Sequence, residues 1–137
     1  MERWSVVLAG AAQLGLVAVG LRVPGVFGWK EDLARLRPAN RRLFWVYGAF
    51  IVLANVGFGT LSLAYPGEIA AGRGAAGGLA LFLGLYWAAR LGVEGLAFDT
   101  PDWPAVARRP AVKLGLTVLF LALSGTYLAC FFRGLAP

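Results

Sequence analysis

Four stretches of about twenty predominantly apolar residues, separated by short segments rich in arginine, proline and glycine, leave this chain few ways to fold. Each run is long enough to cross the ~30 Å hydrocarbon core of a bilayer as a helix. Within that medium the backbone N–H and C=O groups must find partners inside their own segment, which makes the helix the only open-ended solution. The runs cover about residues 4–21, 43–65, 75–98 and 112–132. A soluble domain of 137 residues with 59% hydrophobic content and a mean hydropathy of +0.70 would carry large apolar patches in water. The expected architecture is an all-α integral membrane protein: a four-transmembrane-helix bundle forming one domain over residues 1–137, with a short interfacial helix in the first cytoplasmic loop. A cleaved leader is the competing reading of the first run, with Arg3 as its basic region. The run is long for a leader, however, and Arg22 follows it without a small-x-small cleavage pattern.

The net charge of +6 could suggest a nucleic-acid partner, but the basic side chains lie between the apolar runs and not along one face of a soluble helix. No nucleic acid is expected. Counted by side, Arg22, Lys30, Arg35, Arg37, Arg41, Arg42, Arg108, Arg109 and Lys113 fall on one side of the membrane, and Arg3, Arg73 and Arg133 on the other. The positive-inside rule makes loops 22–42 and 99–111 cytoplasmic and both termini external, in a multi-pass protein of a bacterial inner membrane. A bias of nine to three also argues against dual topology. Small multidrug transporters and fluoride channels share the size and span number, and both are associated with balanced charge and inverted dimers. The first group needs a glutamate in its first span, where this chain has Gln13.

Cysteine and histidine usage narrows the chemistry. Cys130 is the single cysteine, so intramolecular dithiol chemistry of the kind used by vitamin K epoxide reductases is excluded, and the thiol reads as buried and inert. The absence of histidine removes bis-histidine haem ligation, most zinc sites and histidine proton relays. No cofactor and no metal is expected. One alternative is an acidic cluster of Glu94, Asp99 and Asp102 able to hold a divalent cation or a proton, although its spacing is no known metal motif. The Pro101-Asp102-Trp103-Pro104 stretch otherwise reads as a helix cap and an interfacial anchor.

Residues 23–42 are the most charged part of the chain. Trp29, Leu33 and Leu36 form a stripe that can lie in the headgroup layer while Lys30, Arg35 and Arg37 reach phosphates; Pro38 stops that turn and Asn40 caps the second span. The second span opens on Phe44, Trp45 and Tyr47 and closes at Tyr65-Pro66, both typical of helix ends at membrane interfaces.

The polar residues inside the runs are the candidate site. Tyr86-x3-Arg90-x3-Glu94 in the third span stands on one ridge of a helix, and an arginine in mid-span costs about 2.5–3.5 kcal/mol on insertion scales. The two charges neutralise each other near the cytoplasmic helix end, or they form a pocket in which Arg90 binds an anionic or carbonyl group while Glu94 orients it or exchanges a proton, or they belong to a subunit interface. Ala76, Ala80, Gly84, Ala88 and Gly92 make a parallel ridge of small residues for close helix packing. Together the two ridges predict that the third span is the centre of the bundle. Tyr47, Ile51 and Asn55 form a ridge on the second span, and Gln13 lies near the middle of the first. The candidate ligand-binding set is therefore Arg90, Glu94, Tyr86, Tyr47, Asn55 and Gln13. For Gln13 and Asn55 a plain interhelical hydrogen bond is the structural alternative, and Ser124 and Tyr127 read as packing.

Three function classes remain. The favoured one is a non-catalytic binding or accessory protein with an intramembrane polar pocket for a lipophilic or anionic ligand. The others are a small intramembrane enzyme or carrier acting on a lipophilic substrate, and a subunit of a larger membrane complex. Expected partners are the lipid bilayer, a lipophilic small molecule, and a membrane-protein partner or a second copy in a homo-oligomer. A closed pocket reaching Arg90, Glu94 and Tyr47 would favour the enzyme; a broad small-residue or aromatic stripe would favour the subunit.

Overall fold

The computed structural model describes residues 2–97 and 103–136, and all regular structure within them is helical. Seven helices follow in order: α1 (Glu2–Gly20), α2 (Val23–Val26), α3 (Trp29–Ala34), α4 (Pro38–Ala64), α5 (Pro66–Ala71), α6 (Gly74–Ala97) and α7 (Pro110–Gly134). Four of them, α1, α4, α6 and α7, belong to segments long and apolar enough to cross a membrane. Their 19, 27, 24 and 25 residues correspond to about 28–40 Å at ~1.5 Å per residue.

Four helices have a proline in the first turn, Pro24 in α2 among them, and in three of them it is the first residue. Pro38, Pro66 and Pro110 each occupy the first turn of a helix, where the missing N–H costs nothing and the fixed φ is already helical. For this reason α4 begins before residue 43, and Asn40 lies inside the helix instead of capping it; Arg37 is the cap residue and makes no side-chain cap bond. Likewise α7 begins at Pro110, ahead of the expected 112.

The long helices form two antiparallel pairs, α1 with α4 and α6 with α7. Glycine allows each pair to approach closely. A Cβ on Gly10 would come within 2.9 Å of the Ser62 Cβ, and one on Gly59 within 2.8 Å of the Leu14 side chain, so α1 and α4 cross almost backbone to backbone. Between α6 and α7 the corresponding position is Gly84, where a Cβ would meet Leu128 at 2.7 Å. Ser124 tightens that crossing by donating its hydroxyl to the Gly84 carbonyl at 3.0 Å. The ridge of small residues packs through Ala80 and Gly84 and is released further on, since Gly92 faces open space.

The inner helices are α1 and α7, not α6. The first packs against α4, α5 and α7; the second packs against α1, α5 and α6, and its Tyr127 reaches Ser62 on α4, whereas α6 meets mainly α7 and α5. The small ridge of α6 has one partner helix, and so cannot place that span at the hub. Sequence reading also missed α5. This turn of helix lies across the end of the bundle that carries the chain termini, buries Ile69 and Ala70, and touches all four long helices. Gly72 ends it in the left-handed region at φ 65°, with its backbone seated against the Cys130 carbonyl of α7.

Burial is correspondingly one-sided. Val6, Ala9, Ile69, Ala80, Leu83, Leu123, Tyr127 and Cys130 form a core in the half of the bundle next to α5. Toward the other end α4 exposes Leu43, Trp45, Tyr47, Phe50 and Leu53. That second end is held by aromatic contacts: Trp29 of α3 packs edge-on to Phe44 at 4.8 Å, and Phe27 edge-on to Trp103 at 5.0 Å. The stripe of Trp29 and Leu33 is thus turned inward, with Leu33 buried.

Candidate functional site

Polar side chains within the long helices sort into three groups. The most enclosed is a chain of hydrogen bonds linking α1, α7 and α4. Gln13 and Tyr127 are both 0% exposed. The Gln13 Nε2 donates to the Ala9 carbonyl at 3.4 Å and to the Tyr127 Oη. The Ser62 Oγ lies 2.7 Å from Tyr127 Oη and 2.8 Å from the Phe58 carbonyl, which can only accept. With the Ser62 proton on that carbonyl, Tyr127 donates to Ser62, and one direction of donation runs from Gln13 to Phe58. Such a chain joins three helices across an apolar interior, where each polar group left alone costs about 1–3 kcal/mol. Its remaining atom, the Gln13 Oε1, is buried without a hydrogen-bond partner among the described residues.

The second group joins α4 to α6. Asn55 Nδ2 donates to the Ile51 carbonyl at 2.8 Å and to the Tyr86 Oη at 2.9 Å. Around this bond Phe58, Phe82 and Tyr86 pack with ring centroids 5.4–6.4 Å apart.

The third group is a cleft of about 570 Å³ between α6 and α7, lined by Arg90, Glu94, Lys113, Thr117 and Trp103 together with apolar Leu91, Val112 and Leu116. Its walls come from the end of α6 and the start of α7, where the packing ridge has given out and Gly92 and Gly95 add no bulk. The Arg90 guanidinium stands 5.1 Å from the centroid of Phe120, a cation–π arrangement, and Phe120 is stacked at 5.4 Å on Trp87. Thr117 Oγ1 lies 3.0 Å from the Lys113 carbonyl and 3.4 Å from Glu94 Oε1. Its single proton is best placed on its own helix backbone, so Glu94 receives little from it. Glu94 Oε2 is buried without a hydrogen-bond partner among the described residues.

The six candidates therefore do not converge. Arg90 and Glu94 share the cleft, Tyr86 and Asn55 share a bond elsewhere, and Gln13 belongs to the Tyr127 chain. Tyr47 is 64% exposed on α4 and lines no part of the cleft. The separation of Tyr86 from Arg90 and Glu94 follows from helix geometry. Each step of four residues overshoots a full turn by about 40°, so three residues at that spacing fan over about 80°. Tyr86 consequently faces α4 while Arg90 and Glu94 face α7. Asp99 and Asp102, the other members of the suggested acidic cluster, lie outside the described residues.

Three participants are not singled out by the sequence: Lys113 reads as a loop charge, Tyr127 as packing, and Ser62 carries no signal of its own. Lys113 lies one turn before Thr117 on α7, a spacing that places both on one face, and Ser62 lies one turn after Phe58, the carbonyl it caps. Comparison with family models, with curated proteins and with solved structures returns no match for this chain.

Proposed function

We propose that this chain is a multi-pass protein of a bacterial inner membrane that binds an amphiphilic, anionic ligand in the α6–α7 cleft without transforming it. The observation that carries this reading is the make-up of the cleft: among the described residues, Arg90, Lys113 and Glu94 stand next to Leu91, Val112 and Leu116. Two cations supply a binding point for an anion, and the apolar wall supplies one for a hydrophobic tail. Large apolar side chains exposed along the helices, such as Phe50, Leu53, Leu85 and Leu121, support placement in lipid, because a protein of this size in water would hide them. The charge bias supports both termini outside and residues 22–42 and 99–111 in the cytoplasm. In that orientation α3 is the interfacial helix, and the cleft opens at the cytoplasmic headgroup level.

Native mass spectrometry of the protein purified in mild detergent tests the reading. The expected result is an adduct of lipid or quinone mass retained by the parent protein and lost from Arg90→Leu. A bare protein mass, or an adduct untouched by that substitution, would refute the cleft as the binding site.

A further inference from the structure

The two helix pairs meet unevenly. On one side α1 packs against α7, and the bonds of Gln13, Tyr127 and Ser62 cross the junction. On the other side α4 and α6 do not pair as α1 does with α4 or α6 with α7. Side chains bridge them, through the Asn55–Tyr86 bond and the rings of Phe58, Phe82 and Tyr86. Ile51 of α4, one turn farther from α5 than the bond, is 59% exposed, and Phe82 of α6, one turn nearer to it, is 52% exposed. The seam between α4 and α6 therefore lies open on the outer surface of the bundle over about 11 Å, two helical turns.

Hydrogen bonding at that seam leaves one donor and one acceptor over. Asn55 Nδ2 lies 2.8 Å from the Ile51 carbonyl, which can only accept, and this fixes which end of the amide carries the protons. Its second proton goes to Tyr86 Oη at 2.9 Å. Tyr86 thus accepts from Asn55 and keeps its own hydroxyl proton, for which no acceptor stands among the described residues; Asn55 Oδ1 has no donor among them. Depth makes this costly. Asn55 lies nine residues before the end of α4 and Tyr86 twelve after the start of α6, about 14 Å and about 18 Å from ends that share one face of the bundle. In a membrane both groups fall within the ~30 Å hydrocarbon core, where lipid chains neither donate nor accept.

We infer that this seam is the interface of a homodimer, in which the Tyr86 hydroxyl of each copy donates to Asn55 Oδ1 of the other. A surface with one spare donor and one spare acceptor at similar depth is complementary to itself. A two-fold axis along the membrane normal keeps each group at its depth and brings donor to acceptor twice. That axis leaves both copies in one orientation, in agreement with the nine-to-three division of basic residues. Each copy's α4 then stands beside the α6 of the other, covering Ile51 and Phe82. The inference rests on placement of the long helices in a membrane and is independent of what the α6–α7 cleft holds.

Association is measured by energy transfer between copies carrying donor and acceptor dyes on Leu135→Cys in a Cys130→Ala background, reconstituted in phosphatidylcholine vesicles over a range of protein-to-lipid ratios. Transfer is expected to fall on dilution along a monomer–dimer curve. Tyr86→Phe removes two intermolecular bonds from each dimer and should lower the association constant about tenfold, the order that two interhelical hydrogen bonds supply in a membrane. The contact itself is tested by cross-linking with copper phenanthroline in the same Cys130→Ala background. Ile51→Cys on one copy should join Ala89→Cys on another, since Ala89 is exposed on α6 one turn from Tyr86. Copies carrying Gly15→Cys, on the exposed face of α1, should not join.

Energy transfer that stays at the level of random encounters at every ratio overturns the dimer, and so does association that Tyr86→Phe leaves unchanged or that joins Gly15→Cys in place of Ile51→Cys and Ala89→Cys. The cross-link alters neither polar group, so it stands even if Tyr86→Phe prevents folding. A native mass spectrum of a monomer carrying a lipophilic alcohol that Tyr86→Phe releases would assign the seam to a ligand and overturn the dimer as well. A monomer recovered in carbonate-washed membranes refutes the dimer alone, whereas absence of the protein from those membranes refutes the membrane placement beneath it.

Discussion

Single residues decide this structure where backbones nearly touch. Gly72 sits at φ 65° with the Cys130 carbonyl where a Cβ would be, so both its conformation and its surroundings demand glycine. Gly72→Ala should lower stability by roughly 1–3 kcal/mol or more through strain and overpacking, read as an earlier thermal unfolding in detergent. Gly78, inside α6 with open space around its Cβ position, is the control, and Gly78→Ala should leave the melting curve in place or raise it, since a helix-interior glycine costs roughly 0.5–1 kcal/mol relative to alanine. Tyr127→Phe probes the other kind of residue effect. It keeps the ring and removes the hydroxyl that Gln13 donates to and that meets Ser62, leaving buried groups unpartnered at about 1–3 kcal/mol. A melting temperature equal to the parent's would show that the chain of bonds contributes nothing. None of this was visible from residue identity alone: glutamine, tyrosine and serine in a span signal hydrogen bonding, but which one meets which depends on helix rotation and depth.

At the level of helices, the four long apolar helices were legible because their signal is length and hydrophobicity, which does not depend on packing. Their starts were less legible, since a proline both ends one segment and begins another; Pro38 reads as a stop and acts as a start. The six residues of α5 were hidden for a different reason. Pro66-Gly67-Glu68 resembles a turn, and only the buried Ile69 and Ala70 followed by a left-handed Gly72 mark it as a capped helical turn. The ridge of small residues reads as packing along its whole length, but it packs at Gly84 and not at Gly92, and the α6–α7 crossing at Gly84 gives it a test. Gly84→Leu should destabilise the pair by about 1–3 kcal/mol, because the added side chain has Leu128 in its place. Gly92→Leu, on the same ridge but facing open space, should cost far less, and equal melting shifts for the two would contradict the packing described. Arg90 and Glu94 likewise were recognisable as a pair from their spacing, while their separation from Tyr86 required knowing that α4 and α7 flank α6 on different sides.

For the molecule as a whole, two uneven distributions coincide. The buried core lies at the end closed by α5, and the basic residues crowd the opposite end, around the cleft and the aromatic contacts of Phe27, Trp29, Phe44 and Trp103. A bundle packed firmly at one end and opened at the other has its cleft where the charge is. The compartment proposed for that end rests on the positive-inside rule, and the orientation can be measured directly. In a Cys130→Ala background, which removes the one native thiol, single cysteines are placed at Arg35 in the first loop and at Leu135 beyond α7, both exposed. An impermeant maleimide applied to intact spheroplasts should label Leu135→Cys and spare Arg35→Cys until the membrane is permeabilised. Arg35→Cys labelled from outside while Leu135→Cys is protected would invert the proposed orientation, and with it the side that the α6–α7 cleft faces. Labelling of both from outside would mean that the two ends of the bundle are not on opposite sides of a membrane at all, and the four long helices would then have to be explained as something other than spans.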